Sequence, residues 1–360
     1  MLNFFKCQPA LNYGFLNRTE DWQLPPDHPD CIATREALKD VMRFWLDHGC
    51  DGFRVDMADS LVKDDDENKS ATGKIWRNIR EMLDAEYPEA AIISEWSNPY
   101  QALKYGFHAD FYLDHQGNGY NTLLRDYETK GGDRSFLKKD GKGDIMRFLN
   151  DYLPKYDDTK EDGYISFITC NHDTPRPRRT LNIDELKIAY AMFLTLPGVP
   201  FIYYGDEIGM RYLDVPTKEG GYTRTGSRTP MQWDNSKNHG FSDADASKLY
   251  LPVDTADDAP TVADQLNDKN SLLNTVKELT TLRHKYEDLQ ADGDFEVVYA
   301  EPESFPFVYK RGNLFISINP SDEKAYVKLP TKGNTIYSIG DVDLSGYELK
   351  MAPQSFTVIS

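Results

Sequence analysis

Three short stretches of this sequence each place an acidic side chain where an apolar, β-rich run ends. Asp56 closes "GFRVD", Glu95 closes "IISE", and Asp173 follows "FITCNH". Carboxyl groups can act as nucleophiles, acids or bases when their surroundings hold one ionised and another protonated. These three positions are therefore the first candidates for chemistry.

The first stretch places a charged pair within a strand that would otherwise be apolar. Residues two apart on a strand share a face, so Arg54 and Asp56 should point the same way. The opposite face should hold Phe53, Val55 and Met57. Because an unpaired buried charge is costly, the pair indicates either a polar site or a structural ion pair.

The elements around these stretches alternate between helices and strands up to about residue 290. Apolar periodicity predicts helices at "TREALKDVMRFWLDHG", "GKIWRNIREMLDAEYP", "IDELKIAYAMFLTLPG" and "SLLNTVKELTTLRHKY". Strands are predicted at "GFRVDM", "AAIISEW", "ADFYLD", "YISFITCNHD" and "PFIYYGDEIG". Such alternation predicts a parallel sheet with helical crossovers. From Ala291 onward, β-rich runs separated by turn residues predict a small antiparallel sandwich.

A parallel sheet would bring the candidate residues to one place. The carboxyl ends of parallel strands meet at one rim, where α/β barrels build their active sites. Asp56, Glu95 and Asp173 each leave a different predicted strand end, and His172 accompanies the last of them. We therefore expect three carboxylates and a histidine to converge on that rim.

Composition narrows the class of partner. The net charge of −18 argues against binding to a phosphate backbone, and no apolar run is long enough to cross a bilayer. A neutral, polyhydroxylated partner fits this balance better. The four cysteines are irregularly spaced and the opening residues do not resemble a signal peptide, which predicts free thiols and a cytoplasmic location.

The stretches that contain these residues resemble sequence regions of a known enzyme family. "GFRVDMADS", "IISEWSNP" and "FITCNHDTPR" resemble three sequence regions of the α-amylase family of retaining glycoside hydrolases (glycoside hydrolase family 13). "QPALNYGF" and "GVPFIYYGDEIGM" resemble two more, and all five occur in family order. "SRTPMQW" is similar to a signature of the α-glucosidase, oligo-1,6-glucosidase and trehalose synthase branch.

The resemblance implies a role for each position that it matches. Asp56 would be the nucleophile, Glu95 the general acid/base, and Asp173 the carboxylate that holds the sugar's 2- and 3-hydroxyls. The implied substrate-binding residues are Arg54, which would orient the nucleophile and keep it ionised, His172 and Arg176. Two such carboxyl groups should lie roughly 5–5.5 Å apart. No metal ligand or cofactor is implied, and the expected partner is an oligosaccharide. The aromatic residues Trp96, Tyr112, Tyr203 and Trp233 could stack on sugars, but the sequence assigns them no role.

The resemblance covers only the later part of a (β/α)8 TIM barrel. Residues 1–30 match the end of the domain inserted after the third barrel strand, 31–290 the C-terminal part of the barrel with about five strands, and 291–360 the C-terminal antiparallel β domain. We therefore expect a fragment of a longer protein, or a chain completed by its missing N-terminal half. Any family calcium site in the earlier segments would be absent with them.

The predicted activity is hydrolysis of α-glucosidic bonds in malto- or isomalto-oligosaccharides. A trehalose synthase-like isomerase or transglycosylase shares the covalent intermediate and stays open as an alternative. A non-catalytic carbohydrate-binding relative is a further alternative, although such relatives usually lose a carboxylate and this chain keeps all three. Met57, which follows the nucleophile, does not match the valine associated with 1,6-specific members, so the linkage also stays open.

Overall fold

The computed structural model describes residues 10–113, 118–126, 132–217 and 224–360. Its contacts divide the chain into two compact units. The first comprises Met1–Leu113 and Pro154–Ser166, and the second comprises Asp114–Leu153 and Phe167–Ser360. The domain boundaries at residues 30 and 290 stay predictions, because this division follows a different line.

The helices include all four that apolar periodicity predicts. They are α1 (Pro29–Asp47), α2 (Ser70–Glu86), α3 (Pro99–Ala102), α4 (Asn121–Leu124), α5 (Ile145–Thr159), α6 (Ile183–Phe193), α7 (Val262–Leu266) and α8 (Leu272–Lys285). Apolar periodicity does not predict α5, which carries Pro154 in its interior. Within the described ranges, no helix combines the length and the apolar character needed to cross a bilayer.

Helix α1 shows how the sequence specifies an element but not its rotation. Gly49, at φ +95°, follows the helix and donates its N–H to the carbonyl of Leu46, as expected of a C-terminal stop. Val41, Met42, Trp45 and Leu46 recur at helical spacing in this segment, and of these Met42 and Leu46 are buried. Val41 and Trp45 are exposed. Successive helical residues are about 100° apart, so an inward stripe centred on Met42 and Leu46 leaves this neighbouring pair in solvent.

The predicted parallel sheet begins with four short strands in sequence order. They are β1 (Gly52–Val55), β2 (Ala91–Ser94), β3 (Ala109–Tyr112) and β4 (Tyr164–Phe167). The β1–β2 and β2–β3 pairings are parallel. In the first unit, α2 packs its apolar face into the core beside β1 and β2.

The strand predicted at "PFIYYGDEIG" is largely wrong. Phe201 makes a single parallel bridge with Ile168, and the chain then turns into a 3₁₀ segment at Asp206–Ile208. Gly205 has φ +82°, a left-handed conformation that ends the extended run. Within the residues that the structure describes, the parallel strands form no closed barrel.

The C-terminal part of the second unit is antiparallel, as predicted. Strands β5 (Glu296–Tyr299), β6 (Phe307–Arg311), β7 (Leu314–Asn319), β12 (Ser355–Ile359) and β9 (Thr335–Ile339) form one sheet in that order. A smaller sheet has the order β10 (Val342–Ser345), β11 (Glu348–Met351), β8 (Ala325–Lys328). Every residue of β7 and β12 is buried, so these strands form the centre of the domain.

Candidate active site

The first group of candidate residues lies at the carboxyl ends of β1 and β2, in the first unit. Strand β1 ends at Val55, so Asp56 lies in the turn that follows. Met57 adopts φ +41° and is exposed, which corrects the prediction that it shares a strand face with Phe53 and Val55. A left-handed residue reverses the chain after the carboxylate, and Asp56 is thereby left open to solvent.

The register of the two strands brings the second carboxyl group beside the first. Val55 pairs with Ser94, and the N–H of Glu95 donates to the carbonyl of Val55 at 2.9 Å. Glu95 therefore leaves β2 at the level where Asp56 leaves β1. This agrees with the expectation that neighbouring parallel strands deliver both groups to one edge.

Arg54 joins the two carboxyl groups. Its Nη1 lies 2.7 Å from Asp56 Oδ1, and its Nη2 pairs with Glu95 Oε1. The Asp56 side chain is 62% exposed, whereas that of Glu95 is only 14% exposed. The predicted alternatives of ion pair and polar site are thus not exclusive, because one guanidinium orients an accessible carboxylate and a sheltered carboxyl group.

The surroundings of Glu95 favour its protonated form. Burial raises the pKa of this carboxyl group above its ordinary value, the charge of Arg54 opposes that rise, and the charge of Asp56 adds to it. The direction is the one predicted for a proton donor beside an ionised carboxylate. Glu95 can therefore keep its proton to a higher pH than an ordinary glutamate does.

The second group of candidate residues lies in the second unit, in the loop after β4. Asn171 fixes this loop, since its Oδ1 accepts hydrogen bonds from the N–H groups of Asp173 at 2.8 Å and Thr174 at 2.9 Å. His172 Nε2 lies 3.2 Å from Asp173 Oδ2. His172 therefore lies beside the Asp173 carboxylate, and the convergence of both with Asp56 and Glu95 stays a prediction.

Two arginines that the sequence analysis missed hold Asp173. Arg224 Nη1 lies 2.5 Å and Arg228 Nη2 lies 2.8 Å from Asp173 Oδ1. Arg228 also donates from Nε to the carbonyl of His172 at 2.7 Å. The only sequence signal was the position of Arg228 in "SRTPMQW". Asp173 is consequently oriented by cations more than 50 positions away in the chain.

Arg176, predicted as a substrate contact, lies elsewhere in the second unit. It is only 1% exposed, and its Nη1 bonds Asp206 Oδ1 at 2.8 Å and the carbonyl of Tyr204 at 2.6 Å. The rings of Tyr203 and Tyr204 lie 5.0 and 4.8 Å from its guanidinium carbon. The side chain therefore turns inward and pairs with a buried aspartate, and its role as a substrate contact stays a prediction.

An aromatic cavity of about 580 Å³ adjoins Arg228 in the second unit. Its lining consists of Tyr204, Glu207, Arg228, Pro230, Met231, Trp233, Phe241, Leu249, Tyr250 and Leu251. Trp233 is 50% exposed, and Phe241 and Tyr250 are also exposed. Burial raises the pKa of Glu207, whose Oε2 receives no hydrogen bond from any described residue. The cavity combines aromatic faces with a polar group, which suits a hydroxylated ring.

A metal site requires several donor side chains close together. Among the described residues, no three His, Cys, Asp or Glu side chains are grouped closely enough to hold an ion. The described cysteines Cys31, Cys50 and Cys170 are free. The candidate residues themselves supply carboxylates, arginines and a histidine.

Parallel strands that end in carboxylates, followed by an antiparallel β domain, are typical of α/β-barrel glycosidases. Comparison with known families agrees with this class. The alpha-amylase catalytic domain matches residues 18–292. The chain belongs to the alpha-amylase family.

The similar proteins have several activities. The chain is 29% identical to the trehalose synthase/amylase TreS of Mycolicibacterium smegmatis, over 81% of the chain and 51% of that protein. It is 27% identical to the probable oligo-1,6-glucosidase 2 of Bacillus subtilis, over 88% of the chain and 65% of that protein. The chain thus spans half to two thirds of these relatives.

Solved structures support the same fold. An isomaltulose synthase variant from Erwinia rhapontici, in complex with D-glucose, matches with a TM-score of 0.73 and 20% identity, over 94% of this chain and 70% of that one. An alpha-amylase from H. orenii matches with a TM-score of 0.70 and 21% identity, over 94% of this chain and 65% of that one. The chain therefore shares the fold of the family, which combines a TIM barrel with a β domain, and its described parallel strands do not close that barrel.

Proposed function

We propose that this chain carries the catalytic carboxylates of a retaining glycosidase that cleaves α-glucosidic bonds of malto- or isomalto-oligosaccharides. The observation that carries the proposal is the position of Arg54 between Asp56 and Glu95. One carboxylate is exposed and the other is sheltered, with a raised pKa. A retaining mechanism requires this division between an ionised nucleophile and a protonated acid.

The proposed reaction has two steps. Asp56 attacks the anomeric carbon while Glu95 gives its proton to the glycosidic oxygen, and the first sugar leaves with a free hydroxyl group. Glu95, now ionised, takes a proton from water, which attacks the same carbon and releases Asp56. Arg54 orients the nucleophile before attack and pairs with the ionised Glu95 between the two steps.

Features of the second unit support a sugar as the substrate. Asp173 Oδ1 is held by Arg224 and Arg228, which leaves the carboxylate in one orientation for hydrogen bonds to hydroxyl groups. The cavity beside Arg228 presents the exposed faces of Trp233 and Tyr250. Aromatic faces of this kind bind the apolar side of a sugar ring, and we propose that part of the oligosaccharide occupies this cavity.

A trehalose synthase-like isomerase is the second candidate. Similarity to TreS, at 29% identity, favours it as much as similarity to the oligo-1,6-glucosidase favours hydrolysis. Both reactions would share the glycosyl intermediate on Asp56 and would differ in whether water or a sugar hydroxyl attacks it. A non-catalytic carbohydrate-binding relative is the third candidate, and the presence of all three carboxylates disfavours it.

The proposal includes the assignment of residues 31–290 to the C-terminal part of the barrel. The chain spans 51% of one relative and 65% of another, which agrees with a chain that holds part of the barrel. The activity of the whole protein is accordingly part of the proposal, as is the cytoplasmic location that the sequence predicts.

The experiment that tests this function is incubation of the chain with maltose, isomaltose, maltotriose, starch and trehalose. Proton NMR should show glucose released first as the α-anomer, because two inversions retain configuration. The variant Glu95→Gln is the control. It should release less glucose, because the glutamine side chain cannot donate a proton to the glycosidic oxygen. Conversion of maltose into trehalose would favour the isomerase. Binding without turnover would contradict both enzymatic candidates for this chain.

We expect Trp233→Ala to weaken substrate binding more than it slows turnover. Loss of an aromatic face from the cavity should raise KM about tenfold, the equivalent of roughly 1.4 kcal/mol, with kcat within about twofold. Tyr326→Ala is a matched control, because Tyr326 is an exposed aromatic residue on β8 that does not line the cavity. Equal KM values for both variants would show that the cavity holds no part of the substrate.

A further inference from the structure

A buried aspartate lies next to the turn that carries Glu95, and the sequence analysis gave it no role. Asp110, on β3, pairs in register with Ser94 at the end of β2. Its Oδ1 accepts hydrogen bonds from Ser94 Oγ at 2.7 Å and from the N–H groups of Trp96 and Ser97, each at 3.2 Å. One carboxyl oxygen thus holds the residues on both sides of Glu95.

The turn is also held from its far side. Ser97 adopts a left-handed conformation, with φ +59°, and its Oγ accepts the N–H of Leu113 at 3.1 Å. Trp96 packs against the core of the first unit, with its ring centroid 6.0 Å from that of Tyr105. A left-handed non-glycine residue is strained and persists only when its neighbours fix it. Asp110 supplies two of the hydrogen bonds that fix this conformation.

The environment of Asp110 is unusual for a carboxyl group with a purely structural role. The side chain is buried, and its Oδ2 receives no hydrogen bond from any described residue. Burial raises its pKa to about 7, against which the hydrogen bonds from Ser94, Ser97 and Trp96 act. An apolar residue at this position would avoid the cost of desolvation. The hydrogen bonds that the carboxyl group accepts are therefore expected to offset that cost.

We propose that Asp110 is a positioning residue for Glu95, because its buried carboxyl group fixes the backbone of Ser94–Ser97 and so directs the Glu95 side chain toward Arg54 and Asp56. This inference rests on the proposed function only for the role of Glu95 as the acid. The geometry of the turn is independent of that role. Displacement of a reacting group by about 1 Å can cost on the order of 10²-fold in rate, so the anchor affects chemistry without touching the substrate.

The first test measures the position of Glu95 without relying on activity. In Asp110→Ala the three donors lose their acceptor, so the amides of Trp96 and Ser97 should exchange with deuterium at least about tenfold faster. Glu95 should become more exposed, and its pKa should therefore fall toward the ordinary value. Carbon-13 NMR titration of the glutamate carboxyl groups, assigned with Glu95→Gln, measures this shift.

Two further variants make the comparison specific. Asp110→Asn keeps the Oδ1 acceptor and should restore most of the protection of the two amides. Asp84→Ala removes an exposed carboxylate from α2 and should change neither measurement. Circular dichroism shows whether Asp110→Ala folds. If it does not, Asp110→Leu replaces it in both measurements, because leucine also removes the acceptor but fills the buried volume on the strand.

The second test measures catalysis with two leaving groups. Cleavage of maltose needs protonation of a poor leaving group, whereas 2,4-dinitrophenyl α-glucoside does not. In Asp110→Ala, kcat/KM for maltose should therefore fall about 10²-fold, and that for the activated glucoside by less than about tenfold. A merely structural role would lower both equally. Asp110→Asn should recover most of the loss with maltose.

The outcomes separate this inference from the proposed function. If exchange at Trp96 and Ser97 and the titration of Glu95 in the acceptor-free variant match the wild type, the positioning role is overturned, whether or not the chain is active. If both change as expected but the wild-type chain cleaves neither substrate, the positioning of Glu95 stands and the proposed function fails. Equal losses on both substrates would also overturn the role in proton donation.

Discussion

Asp56→Asn is expected to lower the rate of α-glucoside cleavage by at least about 10³-fold, because the reaction loses its nucleophile. An amide is isosteric with the carboxylate, so the turn after β1 and the fold should be unchanged. Arg54 Nη1, now 2.7 Å from Asp56 Oδ1, would face a neutral oxygen. Initial rates with maltose measure the loss, and calorimetric titration with maltose measures binding, which should stay within about tenfold of wild type.

The matched control lies at the other end of the same segment. Asp51 precedes β1, its side chain is exposed, and Asp51→Asn removes the same charge without touching the candidate site. Its kcat should equal that of the wild type. If Asp56→Asn retains more than about a tenth of wild-type activity in conditions where this control is fully active, Asp56 is not the nucleophile.

The positions of Asp56 and Glu95 could be predicted because local pattern determines them. Short β-rich runs, GFRV and AIIS, specify β1 and β2, and the side chain after a strand end must lie at the edge of the sheet. Helix α8 was predictable for a similar reason, since Leu272, Val276, Leu279 and Leu282 recur at helical spacing and all are buried.

Contacts between distant segments were not predictable in the same way. Arg224 and Arg228 lie 51 and 55 positions from Asp173 in the chain, and no local sequence pattern predicts either ion pair. The inward turn of Arg176 depends on Asp206, which is 30 positions away. Periodicity reports which residues share a face of one element, but such pairings depend on how loops pack, and only the structure supplies that information.

Breaking the buried ion pair between Arg176 and Asp206 is expected to lower the free energy of unfolding by more than breaking an exposed ion pair does. Arg176 is buried, and removal of its guanidinium takes the cationic partner from the buried Asp206, to which Thr169 Oγ1 still donates at 2.6 Å. Truncation of one partner in a buried pair costs about 3–5 kcal/mol, because the other charge stays desolvated and uncompensated. Urea unfolding of Arg176→Met should therefore show a free energy of unfolding lower by that amount.

A neighbouring pair of the same residue types tests whether burial is the cause. Arg179 lies 3.6 Å from Asp214 in an exposed position, so Arg179→Met should cost less than about 1 kcal/mol. The double variant Arg176→Met/Asp206→Leu removes both buried charges and should be more stable than Arg176→Met alone, since no uncompensated charge remains. Equal losses for Arg176→Met and Arg179→Met would show that the buried pair is no more stabilising than a surface contact, and Arg176 would then be free to serve another role.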